Sequence, residues 1–188
     1  MNLVIFGPPG AGKGTQSKFI VKKFNLFQLS TGEILRNEIE KKTELGNEIS
    51  SIINSGKLVS DNIVSNLIEK YVSNEKFKNK LIFDGYPRNL AQAKNLDILL
   101  KKNNQKIDMV LKLSVSLDII KKRISERKNL ENRTDDDEAT AIKRFDTYEI
   151  NSKPVIDFYK HSGLLRVVNG ERSITEINSE ISALIEAI

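Results

Sequence analysis

LVIFGPPGAGKGT, residues 3–15, places an apolar run directly against a turn rich in glycine and proline. An apolar run bounded by turn residues is typical of a buried parallel strand. The turn, from Gly7 to Lys13, satisfies the G-x-x-x-x-G-K pattern, and helical periodicity begins near Lys13. The stretch therefore predicts a strand, a phosphate-binding loop and a helix, in that order.

The chemistry of this loop follows from its residue types. Glycines let backbone amides turn inward and approach phosphate oxygens, the helix N-terminus adds positive potential, and Lys13 adds a mobile charge. The hydroxyl residue that usually follows the lysine is displaced by one place, because Gly14 precedes Thr15. A simple turn into a helix would need neither the two spaced glycines nor Lys13. The loop is therefore predicted to bind a nucleotide.

Further strands are predicted along the chain, each separated from the next by helical periodicity. The predicted strands are Leu3–Phe6, Phe27–Leu29, Leu81–Phe83, Met109–Leu113 and Leu164–Val168, and the predicted helices lie near 13–24, 61–73, 89–102, 116–127, 136–160 and 173–187. This alternation predicts an α/β fold in which helices cover both faces of a five-stranded parallel sheet. Two segments do not fit this alternation of strands and helices: an extra helical pair in 30–59 and a polar insert over Lys128–Arg133.

Composition limits the classes of protein. A chain of 188 residues with 39% hydrophobic and 29% charged residues suits one globular domain, and excludes a disordered polymer or a membrane bundle. There is no cysteine, and His161 is the single histidine, so a Cys/His zinc site is excluded and oxygen ligands are expected for any metal. With no basic leader and no long apolar run, a cytoplasmic location is expected.

The net charge of +5 suits any polyanion, but it does not identify one. Many lysines stand beside glutamate or asparagine on predicted helical faces, which favours a solvated surface. Aromatic residues make up only 6% of the chain, and no arm of clustered arginines is present. Neither nucleic acid nor a membrane is therefore predicted as a partner.

The loop with its flanking Gln16 strongly resembles that of adenylate kinases, in which glycine after the lysine is usual. Four further stretches follow in that family's order. They are LSTGEILR (29–36), GKLVSD (56–61), DGYPR (84–88) with Gln92, and RTDD (133–136) followed by Arg144. The similarity covers essentially the whole chain.

The resemblance implies a phosphate-loop kinase that transfers a phosphoryl group reversibly from Mg-ATP to AMP, giving two ADP. It implies a core of 1–29, 60–125 and 137–188, a helical monophosphate-binding insert at 30–59 and a short lid at 126–136. A monomer with ATP, AMP and ADP as partners is expected. Two alternatives stay open: a UMP/CMP kinase, and a phosphate-loop ATPase acting as a nucleic-acid-binding module.

Asp84 ends an apolar strand, so its carboxylate is expected at the carboxyl edge of the sheet, beside the phosphate loop. That position suits a magnesium anchor acting through water, with no direct protein ligand to the metal. Glu33 stands where the family usually has aspartate. Because Ser30 and Glu33 also satisfy a capping box, Glu33 is left out of the predicted site.

Phosphoryl transfer needs alignment and charge stabilisation more than covalent chemistry, so several arginines are expected to converge. By resemblance, Arg123 and Arg127 face ATP, whereas Arg133 and Arg144 approach from the acceptor side when the lid closes and excludes water. The predicted catalytic set is Lys13, Asp84, Arg88, Arg127, Arg133 and Arg144.

The resemblance also assigns residues to the two nucleotides. Those for ATP are Gly10, Ala11, Gly12, Lys13, Gly14, Thr15, Arg123, Arg127 and Arg172. Those for AMP are Thr31, Arg36, Lys57, Leu58, Val59, Gly85, Tyr86, Pro87, Arg88, Gln92, Arg133 and Arg144. The carboxamide of Gln92 can pair with the amino group and ring nitrogen of adenine. UMP and CMP kinases have asparagine there and alanine at the place of Thr31, so AMP is the predicted acceptor.

Overall fold

The computed structural model of the chain describes residues 1–55, 57–131 and 138–188. Strands and helices alternate through these ranges, as the periodicity predicts. In chain order they are β1 (Leu3–Phe6), α1 (Lys13–Phe24), β2 (Phe27–Ser30), α2 (Thr31–Glu40), α3 (Glu44–Asn54), α4 (Asp61–Val72), a 3₁₀ turn (Glu75–Phe77), β3 (Leu81–Asp84), α5 (Leu90–Lys102), β4 (Met109–Ser114), α6 (Leu117–Glu131), α7 (Glu138–His161), β5 (Leu165–Asn169) and α8 (Ile174–Glu186).

The strands form one parallel sheet in the order β2-β3-β1-β4-β5, which confirms the predicted fold class. From β1, the chain first builds one side of the sheet (β2 and β3) and then the other (β4 and β5). In sheets of this kind, ligands bind beyond the carboxyl ends of the strands where the order reverses. The register pairs Asp84 with Ile5 and with Ser30, so three strands end close together at this edge.

Helices cover both faces because the central strands are apolar on both faces. In β1, Val4 and Phe6 pack with buried residues of α4, α5 and α7, while Leu3 and Ile5 pack with those of α1, α6 and α8. The three layers therefore follow from the alternation of side chains along each strand. No helix among the described residues is both long and apolar enough to cross a membrane.

The helical pair predicted within 30–59 is present as α2 and α3. The Thr43 side chain caps α3 by accepting a hydrogen bond from Gly46 N at 3.0 Å. A Cβ at Gly46 would lie 2.1 Å from the carbonyl oxygen of Glu38, so the two helices approach too closely for any side chain there. The pair is thus a compact unit that follows β2 directly.

The predicted end of α6 at residue 127 is wrong, because the helix continues to Glu131. Residues 126–131, ERKNLE, contain neither glycine nor proline, so nothing in them ends a helix. Part of the segment predicted as lid is therefore helical. Strand β5 also lies one residue later than predicted. Gly56 and residues 132–137, with the predicted site residue Arg133, lie outside the described residues.

Candidate active site

A cleft of about 640 Å³ opens at the carboxyl edge of the sheet. Its size falls in the usual range for small-molecule sites, about 300–1,000 Å³. Its walls come from the phosphate loop, α2 and α3, the β3–α5 connection, α6, α7 and the start of α8. All the predicted site residues that the structure describes line this cleft, so the tertiary structure brings segments far apart in sequence into one place.

The phosphate loop wraps around the N-terminus of α1. Gly10 and Gly12 have φ angles of 86° and 92°, in the left-handed region that favours glycine. A Cβ at Gly10 would also lie 3.0 Å from Cγ1 of Ile124, because the loop packs closely on α6. Gly12 is the N-cap of α1, so the free amides of the helix start face into the loop. The loop is built to bind an anion.

Lys13 is half-buried and folds back over its own loop. Its Nζ donates hydrogen bonds to the carbonyl oxygens of Gly7 at 2.8 Å and Pro8 at 3.1 Å. Burial is the largest cause that lowers the pKa of Lys13, to about 8; Asp84 opposes this lowering, and nearby arginines contribute to it. An ammonium group has three donors, so one N–H is left beyond these two bonds. The group is therefore positioned to accept an anionic partner.

The exit of β3 positions a carboxylate beside the loop. Asp84 is only 7% exposed, and its Oδ2 accepts a hydrogen bond from Gln28 Nε2 at 2.9 Å. The next residue, Gly85, has a φ of 79°, and a Cβ there would lie 2.8 Å from Thr31 Oγ1. Thr31 in turn donates to Gly85 O at 3.0 Å. Glycine at 85 thus lets β2 and β3 end in contact.

The turn that contains Arg88 also positions its side chain in the cleft. Its Nε donates to Gly85 O at 2.8 Å. Burial is the largest cause that lowers the pKa of Arg88, to about 10; the positive charges of Arg144 and Arg36 contribute to this lowering, and Asp84 opposes it. Arginines from α2, the β3–α5 connection and α7 therefore lie close enough to repel one another.

The cleft as a whole concentrates positive charge. Arg88, Arg127 and Arg144 each lower the pKa of Lys13, so basic groups from four segments act on one another. Like charges in a half-buried cleft destabilise the ligand-free fold, and bound anions relieve the repulsion. This arrangement indicates a site for several phosphates.

Gln92 is 3% exposed and is oriented by two neighbours. Its Nε2 donates to Asp61 Oδ1 at 2.7 Å, and its Oε1 accepts from the backbone N–H of Arg88 at 2.7 Å. These bonds leave one N–H and one oxygen lone pair on the carboxamide. Apolar side chains line the cleft nearby, among them Leu35, Ile53, Val59 and Val64. A polar edge beside an apolar wall suits a heterocyclic base.

At the other end of the cleft, Arg123 joins two loops. Its Nη2 donates to Gly170 O at 2.9 Å, and its Nη1 donates to Ala11 O at 3.4 Å. The side chain thus bridges the phosphate loop and the β5–α8 loop, residues 170–173. Arg172, at the rim, forms an ion pair with Glu180.

Some cleft residues were not found from the sequence. On α7, residues Thr147, Tyr148, Asn151 and Ser152 share the face of Arg144, at the spacing of one helical stripe. That spacing is the signal that could have found them. Gln16 also lines the cleft, one helical turn beyond Lys13.

Glu33 lies at the edge of the cleft, exposed. Ser30 Oγ accepts a hydrogen bond from Glu33 N at 3.4 Å, which is half of the predicted capping box. Glu33 thus lines the cleft from the first turn of α2, and no magnesium role is assigned to it.

The oxygen donors of the cleft suit Mg²⁺. Among the described residues, no group of three or more His, Cys, Asp or Glu side chains could hold a metal by itself. Magnesium commonly binds through one or two carboxylates, several waters and the phosphates of a substrate. The buried carboxylate of Asp84 beside the phosphate loop fits that pattern.

Comparisons with known proteins agree on one family. A family model described as adenylate kinase matches residues 5–164. The adenylate kinase of Pelagibacter ubique (strain HTCC1062) is 42% identical, over 99% of this chain and 100% of the relative. The adenylate kinase of Maricaulis maris (strain MCS10) is 41% identical, over 99% of both chains. That of Archaeoglobus fulgidus is 36% identical, over 100% of this chain and 99% of the relative.

Proposed function

The chain belongs to the adenylate kinase family, and from this we propose that it transfers a phosphoryl group reversibly from Mg-ATP to AMP, giving two ADP. The observation that supports this best is the shared cleft, which is lined both by the phosphate loop and by Gln92 with its apolar neighbours, together with a group of basic side chains that act on one another. A hydrolase needs only the first of these features, whereas a kinase with a nucleotide acceptor needs both.

The donor triphosphate is proposed to bind along the phosphate loop. Backbone amides of residues 10–15 and the Nζ of Lys13 would receive the phosphates, and Arg123 and Arg127 would face them from α6. Arg172 is proposed to lie against the donor base from the rim of the cleft. The support is that these groups line one end of the cleft, next to the N-terminus of α1.

The acceptor is proposed to bind between α2–α3 and the β3–α5 connection. Arg36, Arg88 and Arg144 would bind its phosphate, with Arg133 added from the lid. Its base would meet Gln92, with Thr31 and the segment 57–59 beside it and Gly85, Tyr86 and Pro87 forming the floor. The free donor and acceptor of the Gln92 carboxamide match a ring nitrogen and the amino group of adenine.

Transfer then needs alignment and charge rather than a catalytic base, because the nucleophile is an oxygen of the AMP phosphate, which is already anionic. That oxygen attacks the γ-phosphorus of ATP, and the bond to the β–γ bridging oxygen breaks, leaving ADP. Lys13, Arg88 and the arginines of α6 and α7 would stabilise the charge on the transferred group. Closing a lid over the site would exclude water, which would otherwise accept the phosphoryl group.

Mg²⁺ is proposed to enter with ATP, held by the phosphates and waters, with Asp84 binding one of those waters. The ion neutralises charge on the β- and γ-phosphates. Residues 30–59 are proposed as the AMP-binding insert and 126–136 as the lid. We further propose a monomer in the cytoplasm with ATP, AMP and ADP as its partners.

An acceptor panel tests the proposed function. With Mg-ATP as donor, ADP formation is measured with AMP, UMP or CMP as acceptor, and ATP hydrolysis is followed without acceptor, with and without DNA or RNA. AMP is expected to give kcat/KM at least about tenfold above either pyrimidine, because a single lost pair of base contacts has this effect. Faster turnover of UMP would favour a pyrimidine kinase. Hydrolysis stimulated by nucleic acid, with no transfer to AMP, would favour the ATPase.

The lowered pKa of Lys13 predicts a pH dependence of ATP binding. The free protein loses the Lys13 proton through a pKa of about 8, whereas bound phosphates favour the charged form. Binding therefore takes up a proton above pH 8, and the Kd of ATP is expected to rise between pH 8 and 10, by at most about tenfold per pH unit. Titration calorimetry over pH 7–10 measures this slope.

The lowered pKa of Lys13 also affects the stability of the ligand-free protein, which is expected to increase with pH while the affinity for ATP decreases. Between pH 8 and 10.5, the unfolded chain holds more protons at Lys13 than the folded chain, so the contribution of this group to stability increases with pH.

Lys13→Arg tests the pH dependence of ATP binding. Arginine keeps its charge over the whole range, so this variant is expected to abolish the slope in ATP affinity. An unchanged slope in that variant would assign the proton to another group.

A further inference from the structure

Asp61 begins α4 and is not part of the cleft wall, yet it binds the side chain that is proposed to meet the acceptor base. Its Oδ1 accepts a hydrogen bond from Gln92 Nε2 at 2.7 Å. The carboxylate also accepts from Asn89 Nδ2, at 3.1 Å through Oδ1 and at 3.0 Å through Oδ2. All three bonds reach the start of α5, and the proposed mechanism does not use this carboxylate.

The position of Asp61 at a helix start does not account for these contacts. An acidic residue in the first turn of a helix is stabilised by the helix dipole, and Asp61 lies in the first turn of α4. That effect depends on the charge and needs no particular hydrogen-bond partner. A fully solvated carboxylate would serve it equally well, so the bonds to Gln92 and Asn89 require a separate explanation.

Asn89 links Asp61 to the backbone of Gln92 as well. Asn89 is the N-cap of α5, and its Oδ1 accepts a hydrogen bond from the backbone N–H of Gln92 at 2.8 Å. Its Nδ2 donates to Asp61 at the same time. The carboxylate of Asp61 therefore holds both the cap of α5 and the side chain of Gln92 in the first turn of that helix.

The two partners of the Gln92 carboxamide permit only one orientation of it. A carboxylate accepts hydrogen bonds and donates none, so Asp61 must face the amino end, Nε2. A backbone N–H only donates, so Arg88 N must face the oxygen, Oε1, at 2.7 Å. Rotating the carboxamide by half a turn would place its oxygen against the carboxylate and its amino group against the N–H. The remaining N–H and lone pair of Gln92 therefore have a fixed order.

The order of donor and acceptor distinguishes two classes of purine. Adenine has an amino group at carbon 6 and an acceptor nitrogen beside it, whereas hypoxanthine and guanine have a carbonyl oxygen at carbon 6 and an N–H beside it. A carboxamide in one orientation pairs with adenine at both positions, and the rotated carboxamide pairs with a 6-oxopurine at both. A carboxamide that rotates freely would accept either class, so discrimination depends on the groups that prevent the rotation.

Building on the proposed function, we propose that Asp61 is a positioning residue for acceptor specificity, which holds the carboxamide of Gln92 in the orientation that accepts AMP and rejects 6-oxopurine monophosphates. Asp61 acts through Gln92, because it lies outside the cleft wall itself. The backbone N–H of Arg88 favours the same orientation from the other end of the carboxamide. Since that group belongs to the main chain, Asp61 is the partner that a substitution can change.

The test compares AMP with IMP, whose bases differ only at carbon 6 and the neighbouring nitrogen. With Mg-ATP held constant, the wild-type protein is expected to prefer AMP by about 10²-fold in kcat/KM, because two hydrogen bonds are replaced by two mismatched contacts. Asp61→Asn is nearly isosteric, and its carboxamide can accept from Nε2 or donate to Oε1, so Gln92 can rotate. The preference is expected to fall to about tenfold, the effect of the one remaining bond from Arg88. The KM of ATP should stay within about twofold of wild type.

Asn95→Ala is the matched control. Asn95 Nδ2 donates to Ser65 Oγ at 3.2 Å, one turn further along both helices, so this variant also removes a side-chain bond between α4 and α5. Asn95 is exposed, and the contacts of the Gln92 carboxamide stay in place. The full preference for AMP is expected to persist. An equal loss of preference in Asn95→Ala would mean that the packing of α4 on α5 decides it, and would overturn the proposal.

A second variant and a binding measurement complete the test. Asp61→Ala is expected to show the same reduced preference, because Gln92 again keeps only its bond to Arg88 N. Equal use of AMP and IMP by the wild-type protein, or activity of both variants that falls in the same proportion with the two nucleotides, would overturn the proposal. The ratio of the Kd values of AMP and IMP, measured by calorimetry without ATP, tests the role of Asp61 even if no phosphoryl group is transferred. Absence of transfer to AMP would refute the proposed function separately.

Discussion

Lys13→Ala is expected to lower kcat by about 10³-fold, the upper end of what loss of one preorganised charge at a transition state causes. Lys13 is the basic group of the phosphate loop itself, and its Nζ already lies over the loop, bound to two of its carbonyl oxygens. Alanine leaves the backbone amides in place, so ATP should still bind, but the transferred phosphoryl group loses its nearest mobile charge. A coupled assay of ADP formation measures the effect.

The fold of this variant is expected to persist. The mutation removes two hydrogen bonds to the loop, but it also removes one positive charge that lies among arginines. These effects oppose each other, so the melting temperature should change by no more than a few degrees. Lys22→Ala, on the exposed side of the same helix, is the control and should keep full activity. A kcat for Lys13→Ala within about threefold of wild type would contradict the proposed role.

Arg88→Ala is expected to lower kcat/KM for AMP by about 10³-fold, with a much smaller effect on the KM of ATP. The Nε bond to Gly85 O sets the direction of the guanidinium, whose remaining N–H groups can bind a phosphate in a bidentate way. Two charge-assisted hydrogen bonds contribute about 3–6 kcal/mol, and about 4 kcal/mol corresponds to 10³-fold in rate. Steady-state kinetics with AMP and ATP varied in turn separates the two effects.

Arg88→Lys separates charge from geometry. Lysine restores the positive charge but not the planar fork, so an intermediate activity is expected. The control is Arg166→Ala, since Arg166 is exposed on β5, outside the cleft, and bonds only local carbonyls among the described residues. If Arg88→Ala raised the KM of ATP and spared that of AMP, the two nucleotide sites would be assigned to the wrong ends of the cleft.

Much of the fold could be predicted because its signals are local. The phosphate loop follows from a pattern of seven consecutive residues, Gly7 to Lys13, and the bounds of α1 agree with the prediction. The central strands are apolar on both faces, which predicts a sheet covered by helices. The end of α6 was predicted too early because Lys128–Arg133 was interpreted as a polar insert, although these residues contain neither glycine nor proline to end a helix.

The site could be predicted only as a set of candidates. Gln92 was predicted to bind a base, but its bonds to Asp61, 31 residues earlier, and to the turn at Arg88 depend on how α4 and α5 pack. The orientation of the Gln16 carboxamide depends in the same way on the bond from its Nε2 to the carbonyl oxygen of Ile174, 158 residues away. No local pattern in the sequence predicts the orientation of either side chain.

The sequence by itself determined the order of strands and helices, the anion-binding loop and the residue types available for phosphate and base, because each depends on neighbours within a few positions. The tertiary structure alone decided which basic groups face one another, how far burial lowers the pKa of Lys13 and Arg88, and which polar atoms stay unpaired. Desolvation, charge repulsion and hydrogen-bond geometry depend on distances through space, and the packing of the sheet and its helices sets those distances.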